Sequence, residues 1–202
     1  TFDIYPYTAG SANLSQLVPP WAHAGGPEAM LMRLRDQGQR ARILRDIVQG
    51  TPDWPNFFPV DWRDIRLAYI HSPRNRWMQG LSILEAAQRL GRDPVKLAAD
   101  LILEDDNRTT MVNFVMAEAD VDFLLPKPES MIGSDGRSFS PGGPAGGGHP
   151  HPRSYGAFPR VLARYVREKR LLTLEEAIHK MTGKPARKLR LDRRGELREG
   201  HF

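Results

Sequence analysis

There is no cysteine among the 202 residues, which excludes a disulfide framework, a thiolate nucleophile and a cysteine-ligated zinc within them. No apolar run approaches the ~18 residues that a bilayer span needs. The first residues also lack the basic-then-apolar pattern of a secretory leader. These absences read as a soluble, cytoplasmic chain with no membrane partner. Methionine is missing at the start. The chain opens at Thr1 on the strand-like Phe2-Asp3-Ile4-Tyr5 and stops at Phe202, just after a turn at Asp192-Arg193-Arg194-Gly195 that reads as feeding a further strand. Both ends therefore read as cut through a larger domain. Internal repeats are absent, and the one low-complexity piece, Ser140–Gly148, reads as a mobile loop.

What is present suffices for a core. Hydrophobic residues make up 40%, and a chain of this length buries roughly 70% of its unfolded surface. The net charge of +5 is unevenly placed. From Arg153 onward 14 Lys/Arg face 6 Asp/Glu, a net of +8, which leaves 15 against 18 before it, a net of −3. Such a tail could bind nucleic acid. However, Arg160, Arg164, Arg167, Lys169 and Arg170 alternate with Val161, Leu162, Tyr165 and Val166 at helical spacing, the pattern of a solvated helix face over an apolar one. No nucleic-acid partner is expected.

Local signals predict alternating helices and short strands. Phe2–Tyr7 reads as a strand edged by Pro6. A helix is expected from about Pro27 to Gly50, and residues 51–80 read as an irregular cover. Ser82-Ile83-Leu84-Glu85 and Thr173-Leu174-Glu175-Glu176 are capping boxes, and Asp93-Pro94 is an N-cap followed by a first-turn proline. Gly91 and Gly183 are expected to end helices. Strands are expected at 109–116 and 131–134, a short helix at 118–125, and a helix opening at Pro159. The alternation predicts an α/β fold with a parallel sheet.

Chemistry concentrates in Met131-Ile132-Gly133-Ser134-Asp135-Gly136 and in His149-Pro150-His151-Pro152-Arg153. A strand that ends in a carboxylate between glycines can present a general base, and glycine lets the backbone approach a ligand. The same Asp135 could simply satisfy its own turn. Arg153 can grip a carboxylate through two parallel hydrogen bonds, or serve in a surface salt bridge. His149 and His151 have the spacing of a metal pair, yet the prolines around them make a loop. Tyr5, Tyr7 and Ser11 could donate to a bound anion. His71 and His179 have no partner that spacing identifies.

Taken in order, Asp3–Ser11, Pro19-Pro20-Trp21, Met116–Val121, Ile132–Gly136, Pro150–Leu162, His179-Lys180-Met181-Thr182-Gly183 and Asp192–Gly195 closely resemble the N-acyl-D-amino-acid deacylases (D-aminoacylases) of the amidohydrolase superfamily. The resemblance runs over essentially the whole chain. It implies a partial TIM-like (β/α) barrel of a zinc-dependent amide hydrolase. Residues 1–195 would be the C-terminal part of the barrel, with an insertion at about 10–106 covering the active site. Residues 196–202 would begin a truncated accessory β-domain. It further implies that Asp135 acts as general base and acid beside zinc and is a candidate ligand, and that Tyr5, Ser11 and Arg153 hold the carboxylate of a small N-acyl amino acid.

One departure limits the reading. The family's zinc ligands (a His-x-His pair, a cysteine and two further histidines) and a substrate-binding lysine are expected upstream of this chain, which is therefore not expected to be active alone. The rivals are a hydantoinase- or dihydroorotase-like enzyme acting on cyclic amides, in which Arg153 loses its meaning, and a non-catalytic basic binding module formed by residues 153–202.

Overall fold

The computed structural model describes residues 1–52, 54, 61–140, 142–143 and 147–202. Parts of the expected irregular cover and of the Ser140–Gly148 loop thus lie outside the described residues. In chain order the elements are β1 (Phe2–Ile4), β2 (Gly10–Asn13), α1 (Gly26–Arg35), α2 (Gln37–Gln49), β3 (Ile65–Tyr69), α3 (Ile83–Leu90), α4 (Pro94–Glu104) and β4 (Thr110–Asn113). They continue with α5 (Glu118–Leu124), β5 (Ser130–Ile132), α6 (Arg153–Arg160), a π-helix over Val161–Glu168, α7 (Leu174–Met181) and α8 (Gly183–Lys188). The chain divides into two compact units. One comprises Thr1–Thr8, Met116–Ser140 and Pro152–Phe202; the other comprises Ala9–Val115 and the described part of 141–151.

In the first unit β1 and β5 pair in parallel, with Phe2 opposite Ser130, Asp3 opposite Met131 and Ile4 opposite Ile132. The ladder runs one step further, since Gly133 N donates to Ile4 O at 3.1 Å. Behind it lies a core of Val121, Leu125, Ile132, Val161, Tyr165, Leu172 and Ala177. Each large apolar side chain buried there contributes roughly 1.5–3 kcal/mol. Both predicted capping boxes are formed: Thr173 Oγ1 accepts from Glu176 N at 3.1 Å while Glu176 Oε2 accepts from Thr173 N at 2.9 Å. The Ser82/Glu85 pair repeats this in the second unit.

The second unit carries a three-stranded antiparallel sheet in the order β2-β4-β3. Helices α1 to α4 pack around a core that includes Leu14, Met30, Leu34, Ile43, Ile47, Leu67, Leu97 and Leu101. Buried Asp105 organises one corner, accepting from His71 N at 2.9 Å, Ser72 N at 2.6 Å and Thr109 Oγ1 at 2.8 Å.

The architecture is α/β, but several expectations are corrected. Parallel pairing among the described residues is confined to β1 and β5, two strands of three residues each, so the described strands do not by themselves display a barrel. The remaining strands are antiparallel. Residues 51–80 contain β3, whose alternating Ile65-Arg66-Leu67 was legible as strand. The expected helix through 27–50 breaks at Asp36, whose side chain accepts from Gln39 N at 2.8 Å and so caps α2 anew. Pro159 lies inside α6 rather than opening a helix. It has no N–H to give to the preceding turn, and the helix past it widens into π geometry. Gly183 follows the C-cap Thr182 that ends α7, as expected, and also opens α8. Residues 189–202 form turns and bends, with no strand.

Candidate active site

Parallel strands send their carboxyl ends to the same edge, which in α/β sheets is where ligands bind. Here that edge delivers Tyr5 directly after β1 and the loop 133–137 after β5. Asp135 sits in the left-handed region at φ 46°, a conformation that Asp tolerates better than most side chains. Gly136 eases crowding: a Cβ there would lie 3.0 Å from Ser154 Cα and 3.1 Å from Arg153 O. The loop is tied on both sides of that glycine. Gly136 N donates to Ser134 Oγ and Arg137 N donates to Ser154 Oγ, each at 3.2 Å.

This close approach brings the first turn of α6 to the loop. Arg153 Nη1 stands 2.7 Å from Asp135 Oδ2. The two side chains differ sharply in exposure, 11% for Arg153 and 66% for Asp135. The Arg153 guanidinium also faces the Tyr5 ring at 5.3 Å from its centroid, within range of a cation–π attraction. Burial raises the Tyr5 hydroxyl pKa above its ordinary value, while the charge and hydrogen bond of Arg153 pull the other way. The phenol therefore stays protonated and can donate.

One helical face carries the arrangement further. Arg160, two turns along α6 from Arg153, donates from Nε to Pro6 O at 2.6 Å and lies 5.0 Å from the Tyr7 ring centroid. Gly156 lies between them, where a Cβ would come within 3.3 Å of the Tyr7 hydroxyl. The positioning role of Arg160 was missed in sequence. Its signal was the match between arginines seven apart on a helix and tyrosines two apart after a strand. Arg164 and Lys169 are likewise turned to internal use, on Glu118 at 2.9 and 2.6 Å.

Asp135, Arg153 and Tyr5 are thus brought together in one unit. Ser11 belongs to the other, on β2 opposite Val112. The histidines do not form a metal pair. His151 is buried, with Nε2 2.8 Å from Ala9 O, and so serves to hold the chain. His149 is exposed, its ring beside Gly80 and its amide donating to Ala68 O at 2.7 Å. The backbone amide of His71 is held by Asp105. No three of the described His, Asp or Glu side chains gather around a common point. A tetrahedral zinc site needs three or four such donors, so the described residues do not fit a metal centre on their own.

No family model matches the chain. Over 117 residues, 55% of this chain, it is 43% identical to an N-acyl-D-aspartate deacylase of Alcaligenes xylosoxydans xylosoxydans. Over 121 residues, 60% of this chain, it is 42% identical to an N-acyl-D-glutamate deacylase of the same organism. The chain spans 22% of the length of each of these relatives. Among solved structures, an N-acyl-D-glutamate deacylase from Bordetella bronchiseptica, complexed with zinc and a phosphonate mimic of the tetrahedral intermediate, superposes with a TM-score of 0.64 at 30% identity. It matches 99% of this chain, which covers 31% of that structure. A D-aminoacylase with a binuclear metal centre matches with a TM-score of 0.63 at 28% identity. In sequence and in fold, over the part of those proteins that it spans, this chain is related to the N-acyl-D-amino-acid deacylases.

Proposed function

We propose that this chain is the part of an N-acyl-D-amino-acid deacylase that supplies the acid–base carboxylate and the clamp for the substrate's own carboxylate. The enzyme hydrolyses the amide of an N-acyl-D-amino acid to a carboxylate and a free D-amino acid. The observation that carries this reading is the convergence of Asp135, Arg153 and Tyr5 at the carboxyl ends of β1 and β5. Asp135 takes a proton from the attacking water as its oxygen bonds to the acyl carbon, and returns it to the departing nitrogen as the C–N bond breaks. Arg153 and the protonated Tyr5 hydroxyl hold the substrate carboxylate.

On this reading β1 and β5 are strands of a larger TIM-like barrel in a cytoplasmic protein, and residues 10–106 are an insertion in it. Zinc, present in the related Bordetella structure, would polarise the amide carbonyl. Asp135 would stand beside such an ion.

The test is Arg153→Ala in the complete protein. KM for N-acyl-D-amino acids rises at least tenfold, the loss of one charged hydrogen-bonding partner, while turnover of an amide lacking the carboxylate does not fall. An unchanged KM would overturn the assignment.

A further inference from the structure

The acid–base carboxylate and the carboxylate clamp are bonded to each other. Arg153 Nη1 and Asp135 Oδ2 are 2.7 Å apart, and the segments carrying them are tied by the Arg137 N–Ser154 Oγ bond and by the close approach at Gly136. Asp135 stands out in solvent while Arg153 is nearly covered. An incoming carboxylate that takes the Nη1 end of the guanidinium meets Asp135 already bonded there. Two carboxylates in contact on one guanidinium end repel each other, which favours turning the exposed Asp135 away.

We propose that Asp135 and the ligand carboxylate compete for Arg153, so that occupation of the clamp releases Asp135 for proton transfer. The inference rests on the assignment of Arg153 as the clamp. Its consequence is a coupling between recognition and chemistry: a molecule without a carboxylate leaves Asp135 tied to Arg153 and out of use. The exposure of the Asp135 side chain leaves room for that turn. The device selects substrate by what it frees as well as by what it holds.

The complete protein, its metal chelated, provides the test by binding rather than turnover. The nitrogen-15-labelled protein is titrated with N-acetyl-D-glutamate and, as a control, with an N-acetyl amine that has no carboxylate, following the Arg153 Nε–H and Asp135 amide signals. Asp135→Asn, which removes the competitor, is expected to bind N-acetyl-D-glutamate roughly tenfold more tightly, and Asp135→Ser to do the same. Arg153→Met is expected to abolish the response. Unchanged or weaker binding by both Asp135 variants, with Arg153→Met still inactive in binding, overturns the competition but leaves the clamp standing. Binding that survives Arg153→Met, or no carboxylate-dependent response in any form, overturns both. An unshifted Tyr165 signal verifies that each variant keeps the first unit folded.

Discussion

The hydroxyl of fully buried Tyr165 donates to Glu118 Oε1 at 3.0 Å, and the same oxygen accepts from Arg164 and Lys169. This joins α5 to the π-helix behind the β1–β5 ladder. Burial pushes the Glu118 carboxyl pKa up, but the hydrogen bonds from Lys169, Arg164 and Tyr165 outweigh it and hold the group at about 2, against 4.5 ordinarily. A carboxyl group with its folded pKa depressed stabilises the fold above its unfolded value, and that stabilisation disappears as pH falls through the folded one. The first unit is therefore expected to lose stability between about pH 4.5 and 2. Glu118→Gln should cost about 2 kcal/mol at pH 7 and flatten this acid limb, as read by denaturation followed at several pH values.

Lys180 holds the entry to β5. It is buried, and its Nζ donates to Ser130 Oγ at 2.7 Å and to Lys127 O, while Lys184 donates to Pro128 O and Ser130 O. Burial, reinforced by the charge of Lys184, lowers the Lys180 pKa from 10.5. Its protonated form thus carries a cost at neutral pH that is relieved as pH rises from the lowered value toward 10.5. Lys180→Met leaves buried acceptors without their donor and should destabilise by roughly 1–3 kcal/mol. It should also remove that alkaline gain, which urea titrations at pH 7 and pH 10 would separate.

Gly10 is fixed by its neighbour across the ladder. It pairs with Asn113, and a Cβ at position 10 would lie 2.7 Å from Asn113 Oδ1. That oxygen is buried and accepts no hydrogen bond among the described residues. Gly10→Ala should destabilise the second unit by about 1–3 kcal/mol through overpacking. The double variant with Asn113→Ala should recover part of the loss, and thermal melting of the three proteins would show it.

Asp135→Asn keeps the shape of the loop and removes the proton acceptor. In the complete protein kcat should fall by roughly 10²–10⁴-fold, with KM for N-acyl-D-amino acids unchanged or lower. Steady-state kinetics that leave kcat near the parent value would remove Asp135 from acid–base chemistry.

Local chemistry made the helix starts legible. Ser82 with Glu85, Thr173 with Glu176, and Asp93 before Pro94 each satisfy backbone donors within three residues, so no distant contact is needed to specify them. The strand at 2–4 was legible as an alternating run and that at 130–132 as an apolar one, and Asp135 and Arg153 as reactive residue types beside glycine and proline. Less legible was any feature whose cause lies far along the chain. Asp36 recaps a helix that periodicity alone would have run straight through. Pro159 is tolerated mid-helix because the turns beyond it widen and Tyr165 anchors them on Glu118, 47 residues away. The antiparallel direction of β2, β3 and β4 follows from which strands meet, and no hydropathy pattern encodes it.

The sequence by itself determined the caps, the short strands and the chemical repertoire, because each depends on neighbours within a turn or two. Only the tertiary structure decided that Asp135 and Arg153 bond to each other. That contact requires β1 and β5 to lie parallel, Gly136 to admit the backbone of Arg153 and Ser154, and α6 to start at Arg153 rather than at Pro159. Charge attracts at any separation, but only packing set these two side chains within reach.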